Sequence, residues 1–243
     1  MADTAVILAA GMGSRLAANG DDQYSKPLMT VGGQTLLERT VGCCRTAGAR
    51  RILVVTGFRH ELIEAEVARL TRGDVETVPN PDWTKANGLS LYVCRDRLTA
   101  PFALMMSDHV FDPSILTDLM ALAPPAGSVT LAVDHKVDQI FDLDDATKVV
   151  VEDGRIVRIS KTLPSYNAID CGLFLCTPAI FDALAEVVAR KGDASLSEGM
   201  AIIGGRGGFV PFDIGDRWWQ DVDTPEMLAQ AAGELARRGY LTA

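Results

Sequence analysis

A glycine-rich loop, two cations and two carboxylates carry most of the chemistry legible in this chain. The run Ala9-Ala10-Gly11-Met12-Gly13-Ser14-Arg15 follows the apolar residues 5–8. Small residues there let main-chain N–H groups approach an anion closely, and a polyphosphate is the anion such a loop suits. Arg15 and Lys26 stand beside it, one a planar fork and the other a point charge for phosphate oxygens. Gly-x-Gly alone is a weak signal. Leu16 occupies the place where a dinucleotide fingerprint needs its third glycine, and no Gly-Lys-Ser/Thr follows as in a Walker loop. The longer spacing, through Lys26-Pro27-Leu28 to the turn Gly32-Gly33-Gln34-Thr35 that opens a helix, is far more specific.

Asp108 follows the apolar run 102–106, which predicts a carboxylate at the C-terminal edge of a strand, where open α/β sheets place their ligand crevices and where a divalent cation can be held. Asp221 and Asp223 alternate in Trp218-Trp219-Gln220-Asp221-Val222-Asp223-Thr224-Pro225 and would share one side of an extended segment. Asp223 fits a helix N-cap before Pro225 as well as a metal ligand, and Asp108 a turn. His109, next to Asp108, is read as a polar packing residue rather than an acid or base.

The elements that must position these groups follow from hydrophobic periodicity. Short β-rich runs at 5–10, 51–57, 102–107 and 128–134 alternate with helical stretches, which predicts an α/β fold with a mostly parallel sheet covered by helices on both faces. Leu62, Ile63, Val67 and Leu70 share one helical face, and Met227, Leu228, Ala231 and Leu235 another. Beyond about residue 140 the pattern changes. Strands 148–151 and 155–159 flank Glu152-Asp153-Gly154, an Asp-Gly hairpin signal, and predict a small antiparallel insertion in the C-terminal half. Further strands are expected at 169–176 and 208–214, and helices at 178–190 and 225–238.

A chain of 243 residues with 48% hydrophobic and 23% charged residues suits a single globular domain, 1–243, with 1–110 mainly binding the polyphosphate and 111–243 mainly its reaction partner. The net charge of −9 repels nucleic acid and anionic membranes. Five cysteines without a C-x-x-C pair indicate buried free thiols. The opening Met-Ala-Asp-Thr has no basic stretch and no apolar run nears a bilayer span, so a cytoplasmic location without membrane insertion is expected, as monomer or homodimer.

Residues 8–16 and Lys26-Pro27-Leu28 resemble the signature of the sugar-nucleotide pyrophosphorylases and related nucleotidyltransferases. Asn80-Pro81-Asp82-Trp83, Asn87-Gly88-Leu89-Ser90-Leu91-Tyr92, Ser107-Asp108-His109-Val110, Asp145-Ala146-Thr147-Lys148-Val149, Asp170-Cys171-Gly172-Leu173-Phe174 and Ser195-Leu196-Ser197-Glu198-Gly199 resemble the inositol-1-phosphate cytidylyltransferases across almost the whole chain. The resemblance implies a GT-A-like, Rossmann-like fold and Mg2+-dependent transfer of a cytidylyl group from CTP to a phosphorylated cyclitol. It implies phosphate contacts at Arg15 and Lys26, metal binding by Asp108 and Asp223, acceptor contacts from Lys148 and Lys161, and ring-hydroxyl contacts from Asp144, Asp170 and Glu198. Some members of the family carry a fused membrane phosphotransferase, so the product is expected to pass to a separate membrane CDP-alcohol phosphotransferase.

An alcohol phosphate is already an anionic nucleophile, so no Ser, Cys or His triad is needed, and none is evident. Asn80, Asn87 and Ser90 offer donors and acceptors to a pyrimidine or ribose, and Asn87 and Ser90 equally fit helix caps. Lys148 and Lys161 equally fit solvated strand positions, and Asp144 a turn. Phosphocholine is the alternative acceptor, for which Trp83, Tyr92, Phe141, Tyr166, Trp218 and Trp219 could form an aromatic cage. A hexose-1-phosphate nucleotidyltransferase, a regulatory nucleotide-binding module and a glycosyltransferase using Asp221-Val222-Asp223 are the remaining readings.

Overall fold

The computed structural model describes residues 1–13 and 25–240. The N-terminal half runs β1 (Thr4–Ala9), a small hairpin of β2 (Thr30–Val31) and β3 (Gln34–Thr35), α1 (Leu36–Thr46), β4 (Arg51–Thr56), α2 (His60–Leu70), β5 (Val75–Pro79), α3 (Asn87–Tyr92), β6 (Phe102–Met106), β7 (His109–Phe111) and α4 (Pro113–Ala121). The remainder comprises β8 (Val129–Asp134), β9 (Lys148–Glu152), β10 (Arg155–Ser160), β11 (Ala168–Cys176), α5 (Ala179–Lys191), α6 (Leu196–Gly205), β12 (Phe209–Asp213), β13 (Trp219–Asp221) and α7 (Pro225–Arg237).

Residue type explains the layering. Val6 and Leu8 enter one buried cluster while Ala5, Ile7 and Ala9 enter another, so β1 is apolar on both faces and must lie between two helical layers. The central sheet follows the order β10-β9-β11-β6-β1-β4-β5, with β8 beside β11 and β12 beside β8. Strands β6, β1, β4 and β5 are parallel. β11 runs antiparallel to β6, β8 and β9. The Asp153-Gly154 turn, with φ of 48° and 72°, joins β9 to β10 as the alternation predicts. That hairpin is the edge of the main sheet and continues it through β11, rather than standing apart.

Helix ends match their capping chemistry. Thr35 accepts from Glu38 N at 2.9 Å to start α1, and Thr224 accepts from Met227 N at 3.3 Å to start α7, each satisfying a donor of a first helical turn. Ile63, Val67 and Leu70 of α2, and Met227, Ala231 and Leu235 of α7, are buried. All five cysteines are buried free thiols.

Candidate active site

β1 and β6 are parallel neighbours, with Leu8 opposite Met106. β4 lies on the other side of β1, so the chain leaves β1 at a point where strand order reverses, the place where α/β sheets open a crevice. The two strands end together there. Ala9 closes β1 and is followed by Ala10, Gly11 and Gly13, while Ser107 and Asp108 follow β6. Ser107 N donates to Leu8 O at 3.2 Å and ties the two loops. Gly13 has φ of 61°, which a glycine adopts at little cost. Ser14 and Arg15 lie outside the described residues.

Lys26 sits in a short 3-10 turn, Lys26–Leu28, with Pro27 inside it. Pro27 presets the backbone, and Leu28 N donates to Ser25 O at 2.9 Å. The turn presents a lysine whose side chain is only 7% exposed. Its Nζ donates to Asp108 Oδ2 at 2.5 Å and also to Asp223 Oδ1, residues 82 and 197 positions away in sequence. Asp223 arrives by way of a two-stranded ribbon. β13 pairs antiparallel with β7, placing Asp221 opposite His109, and Val222 N donates to Asp108 O at 2.9 Å. Since Thr224 caps α7, Asp223 is not spent on the helix.

The electrostatics follow from this triad. Burial alone would lower the Lys26 pKa, but the charges of Asp108 and Asp223 outweigh it and hold it above the usual lysine value. Burial likewise opposes ionisation of Asp108, yet Lys26 and the hydrogen bond from His109 hold that carboxyl well below the usual range. At neutral pH Lys26 is therefore an ammonium and Asp108 a carboxylate.

Two clefts meet at this cluster. One, of 340 Å³, is lined by Ala10, Gly11, Gly13, Lys26, Trp83, Lys85 and Ser90, among others. The other, of 260 Å³, is lined by Asp145, Thr147, Lys161, Asp170, Gly172 and Trp219, among others. Asn87, Met106, Asp108 and Asp223 border both. Asn87 opens α3 and its Oδ1 accepts from Leu196 N at 3.0 Å, so it also fastens the start of α6. Asn80 is buried behind the first cleft, donating to Ser90 Oγ at 3.0 Å and accepting from Asp82 N at 2.9 Å. It braces Ser90 and does not line the cleft.

The expected acceptor residues divide. Lys161 lines the second cleft and pairs with Asp145 at 2.9 Å. Asp170 lines it too. Burial pushes its carboxyl up to about 6, against the Gly172 N–H that donates to it. Lys148 is buried and its Nζ donates to Asp144 O at 2.7 Å, while the Asp144 side chain is exposed. Glu198 completes a capping box with Ser195 and pairs with Lys191 at 2.6 Å. The structure thus does not bring Asp144, Lys148 or Glu198 into either cleft. Sequence reasoning passed over Lys85, whose signal was its place inside the Asn80-to-Tyr92 motif, and Asp145 and Thr147, which begin the motif quoted for Lys148. His109, expected only to pack, lines the second cleft.

A divalent cation fits the donor set. Asp108 and Asp223 each direct one oxygen at a single ammonium, so both reach one point charge. Among the described residues no three His, Cys, Asp or Glu side chains form a ready metal cage. Two carboxylates with room for phosphates beside them suit magnesium, which is bound by one or two carboxylates together with substrate oxygens.

A doubly layered α/β sheet with a glycine loop, a buried lysine and paired carboxylates at its switch point defines a phosphate-handling, nucleotide-binding protein. The MobA-like NTP transferase domain matches residues 5–200, and the chain belongs to that family. It is 36% identical over 226 residues to the bifunctional IPC transferase and DIPP synthase of Rubrobacter xylanophilus, covering 92% of this chain and 50% of that protein. With the protein of that name from Aquifex aeolicus it shares 30% identity, covering 98% of this chain and 53% of the relative. The chain therefore spans about half the length of these relatives. The solved inositol-1-phosphate CTP transferase from T. maritima superposes with a TM-score of 0.80 at 26% identity, covering 95% of this chain and 96% of the other.

Proposed function

We propose that this NTP transferase domain moves a cytidylyl group from CTP to a phosphorylated cyclitol, myo-inositol-1-phosphate first among them, giving CDP-inositol and pyrophosphate. The observation that carries the reading is the meeting of two clefts at Asp108 and Asp223, one with a glycine loop and Lys26, the other lined by acids and Lys161. The names of the relatives support the choice of base and acceptor.

A phosphate oxygen of the acceptor attacks the α-phosphorus in line. The new O–P bond forms as the bond to the bridging oxygen breaks, and pyrophosphate leaves with that electron pair. Main-chain N–H groups of Gly11 and Gly13, with Ser14 and Arg15, hold the triphosphate, and Lys26 neutralises charge at the reacting centre. Asn87 and Ser90 offer hydrogen bonds to the nucleoside. Asp108 and Asp223 would hold Mg2+, which when bound neutralises the phosphates. In the second cleft Lys161 meets the acceptor phosphate and Asp170 accepts from ring hydroxyls. Residues 1–110 supply most of the triphosphate site, and the remainder most of the acceptor site.

An acceptor bearing quaternary ammonium needs several ring faces around the charge. Of the six aromatics that could have formed such a cage, only Trp219 lines the acceptor cleft, whereas Trp83 lines the triphosphate cleft and Phe141 and Trp218 line a separate one. A polyol suits the acids better. No described helix is long and apolar enough to cross a membrane. The reading includes a cytoplasmic reaction whose product is used by a membrane CDP-alcohol phosphotransferase activity.

The test is pyrophosphate release with CTP, UTP, dTTP, ATP or GTP, each paired with inositol-1-phosphate, phosphocholine, glycerol-3-phosphate or glucose-1-phosphate, with and without EDTA. CTP with inositol-1-phosphate is expected to lead, and EDTA to abolish release. A lead by phosphocholine would overturn the acceptor, and no release from any pair the reaction.

A further inference from the structure

The Asp108 carboxylate has a different partner on each oxygen. Oδ2 faces Lys26, and Oδ1 accepts from His109 Nδ1 at 2.7 Å, so Nδ1 carries the proton. A carboxylate on a loop rotates freely unless one oxygen is tied, and the tie is only as fixed as the donor. The His109 ring is held on several sides. It stacks on Trp219 with centroids 5.7 Å apart and planes at 16°. Trp219 Nε1 in turn donates to Asp134 Oδ2 at 3.0 Å. Asp134 is 3% exposed, and its Oδ1 accepts from Lys136 N and Nζ at 2.8 and 2.7 Å. On another side Gly172, with φ of +71°, lets the backbone of β11 approach so closely that a Cβ there would lie 2.5 Å from His109 Cδ2 and Nε2. A residue that merely filled space would need neither a buried polar chain behind it nor a glycine against its edge.

We propose that His109 is a positioning residue for Asp108, and that Trp219, anchored by Asp134, and Gly172 hold the imidazole in that service. One oxygen of Asp108 is thereby kept on the histidine and the other stays turned toward the Lys26 cation site. The inference rests on the proposed role of Asp108 in cation binding, and it assigns the histidine no proton transfer.

The test follows binding of Mn2+, by its electron paramagnetic resonance signal, to the whole protein with CTP and no acceptor, alongside kcat and KM for the acceptor. His109→Ala should weaken Mn2+ binding about 10–100-fold, the usual effect of losing a partner that orients a metal ligand, and lower kcat while acceptor KM holds. His109→Asn, which keeps an N–H donor at similar reach, should recover most of both. Trp219→Phe, which keeps the stacked ring but not the bond to Asp134, should show a smaller loss of the same kind, and it decides the matter if His109→Ala does not fold by circular dichroism. Wild-type Mn2+ affinity in His109→Ala, or in Trp219→Phe where that variant decides, overturns the proposal. So does loss of turnover in both histidine variants with Mn2+ binding unchanged, because the imidazole would then act in the chemistry itself. No turnover with any substrate pair, while the Mn2+ pattern holds, would sink the proposed reaction alone. Failure of the wild-type protein to bind Mn2+ would overturn both.

Discussion

The two clefts are built in different ways. The triphosphate cleft is made from the ends of adjacent parallel strands, β1 and β6, with a main-chain loop and a lysine on a proline-braced turn. The acceptor cleft is made from side chains on β10, β11, α6 and the β7–β13 ribbon, where antiparallel register decides which residues face inward. A backbone anion site needs small residues at a fixed spacing, and a side-chain pocket can be assembled in many ways. On the proposed function the first carries the chemistry of the triphosphate, and the second is where the acceptor would be chosen.

The largest effects should fall where the clefts join. Lys26→Ala and Asp108→Asn should each lower kcat by about 10²–10³-fold, the scale for losing one preorganised group at a reacting centre, measured by pyrophosphate release. Asp108→Asn should leave the fold intact, since Lys26 keeps Asp223 as a partner. Near-normal kcat in both variants would break the comparison at its root, because nothing would then couple the clefts.

Asp170→Asn should sharpen the contrast from the acceptor side. Losing a charged hydrogen-bond acceptor costs about 1.5–3 kcal/mol, so acceptor KM should rise roughly 10–100-fold while KM for CTP stays put. Its raised pKa also makes a stability prediction. The unfolded carboxyl titrates near 3.8 and the folded one at about 6, so the native state binds the extra proton between those values and loses stability as pH rises through them. Asp170→Asn should therefore gain melting temperature relative to wild type above pH 6 and not below pH 4. Parallel melting curves across that range would remove the buried-carboxylate account.

How much of this was legible in the sequence follows the same division. β1, β4, β6 and β8 fall within a residue or two of the apolar runs that predicted them, because both faces are buried and most residues of such a strand are apolar. Lys26, Asp108 and Asp223 were marked by type and neighbourhood, and the structure gathers them at one point. The ribbon of β7 and β13 and the joining of the β9–β10 hairpin to the main sheet were not legible, since local periodicity does not name a strand's distant neighbour. The same gap explains Lys148, whose strand and motif were read correctly while its side chain turns inward to Asp144 O. Asn80 is a parallel case, a polar residue with the right chemistry whose hydrogen bonds are taken by Ser90 and Asp82.

Lys148→Met tests that reading of the inward lysine. Methionine preserves much of the apolar stem but leaves the Asp144 carbonyl without its donor, at a cost of about 1–3 kcal/mol in stability, read from urea unfolding. Acceptor KM should change less than for Asp170→Asn. A selective tenfold loss of acceptor affinity with unaltered unfolding would return Lys148 to the cleft and show that the boundary between structural and acceptor residues is drawn in the wrong place.

Glu198 should give the smallest effect and the cleanest separation of motif from role. It lies in a segment that resembles the cytidylyltransferases, yet its Oε2 accepts from Ser195 N at 2.9 Å, Ser195 Oγ accepts from Glu198 N at 3.3 Å, and Lys191 holds the carboxylate from outside. These contacts hold the carboxyl down to about 2, as suits a charge committed to a helix start. With its side chain 41% exposed, the ion pair is screened and adds little, so Glu198→Ala should cost about 0.5–2 kcal/mol through the cap. Neither KM should move. If acceptor KM rose tenfold while the melting temperature held, Glu198 would have to leave its capping box to meet substrate, and the acceptor cleft would then extend across α6 beyond Ser197 and Met200, which line it now.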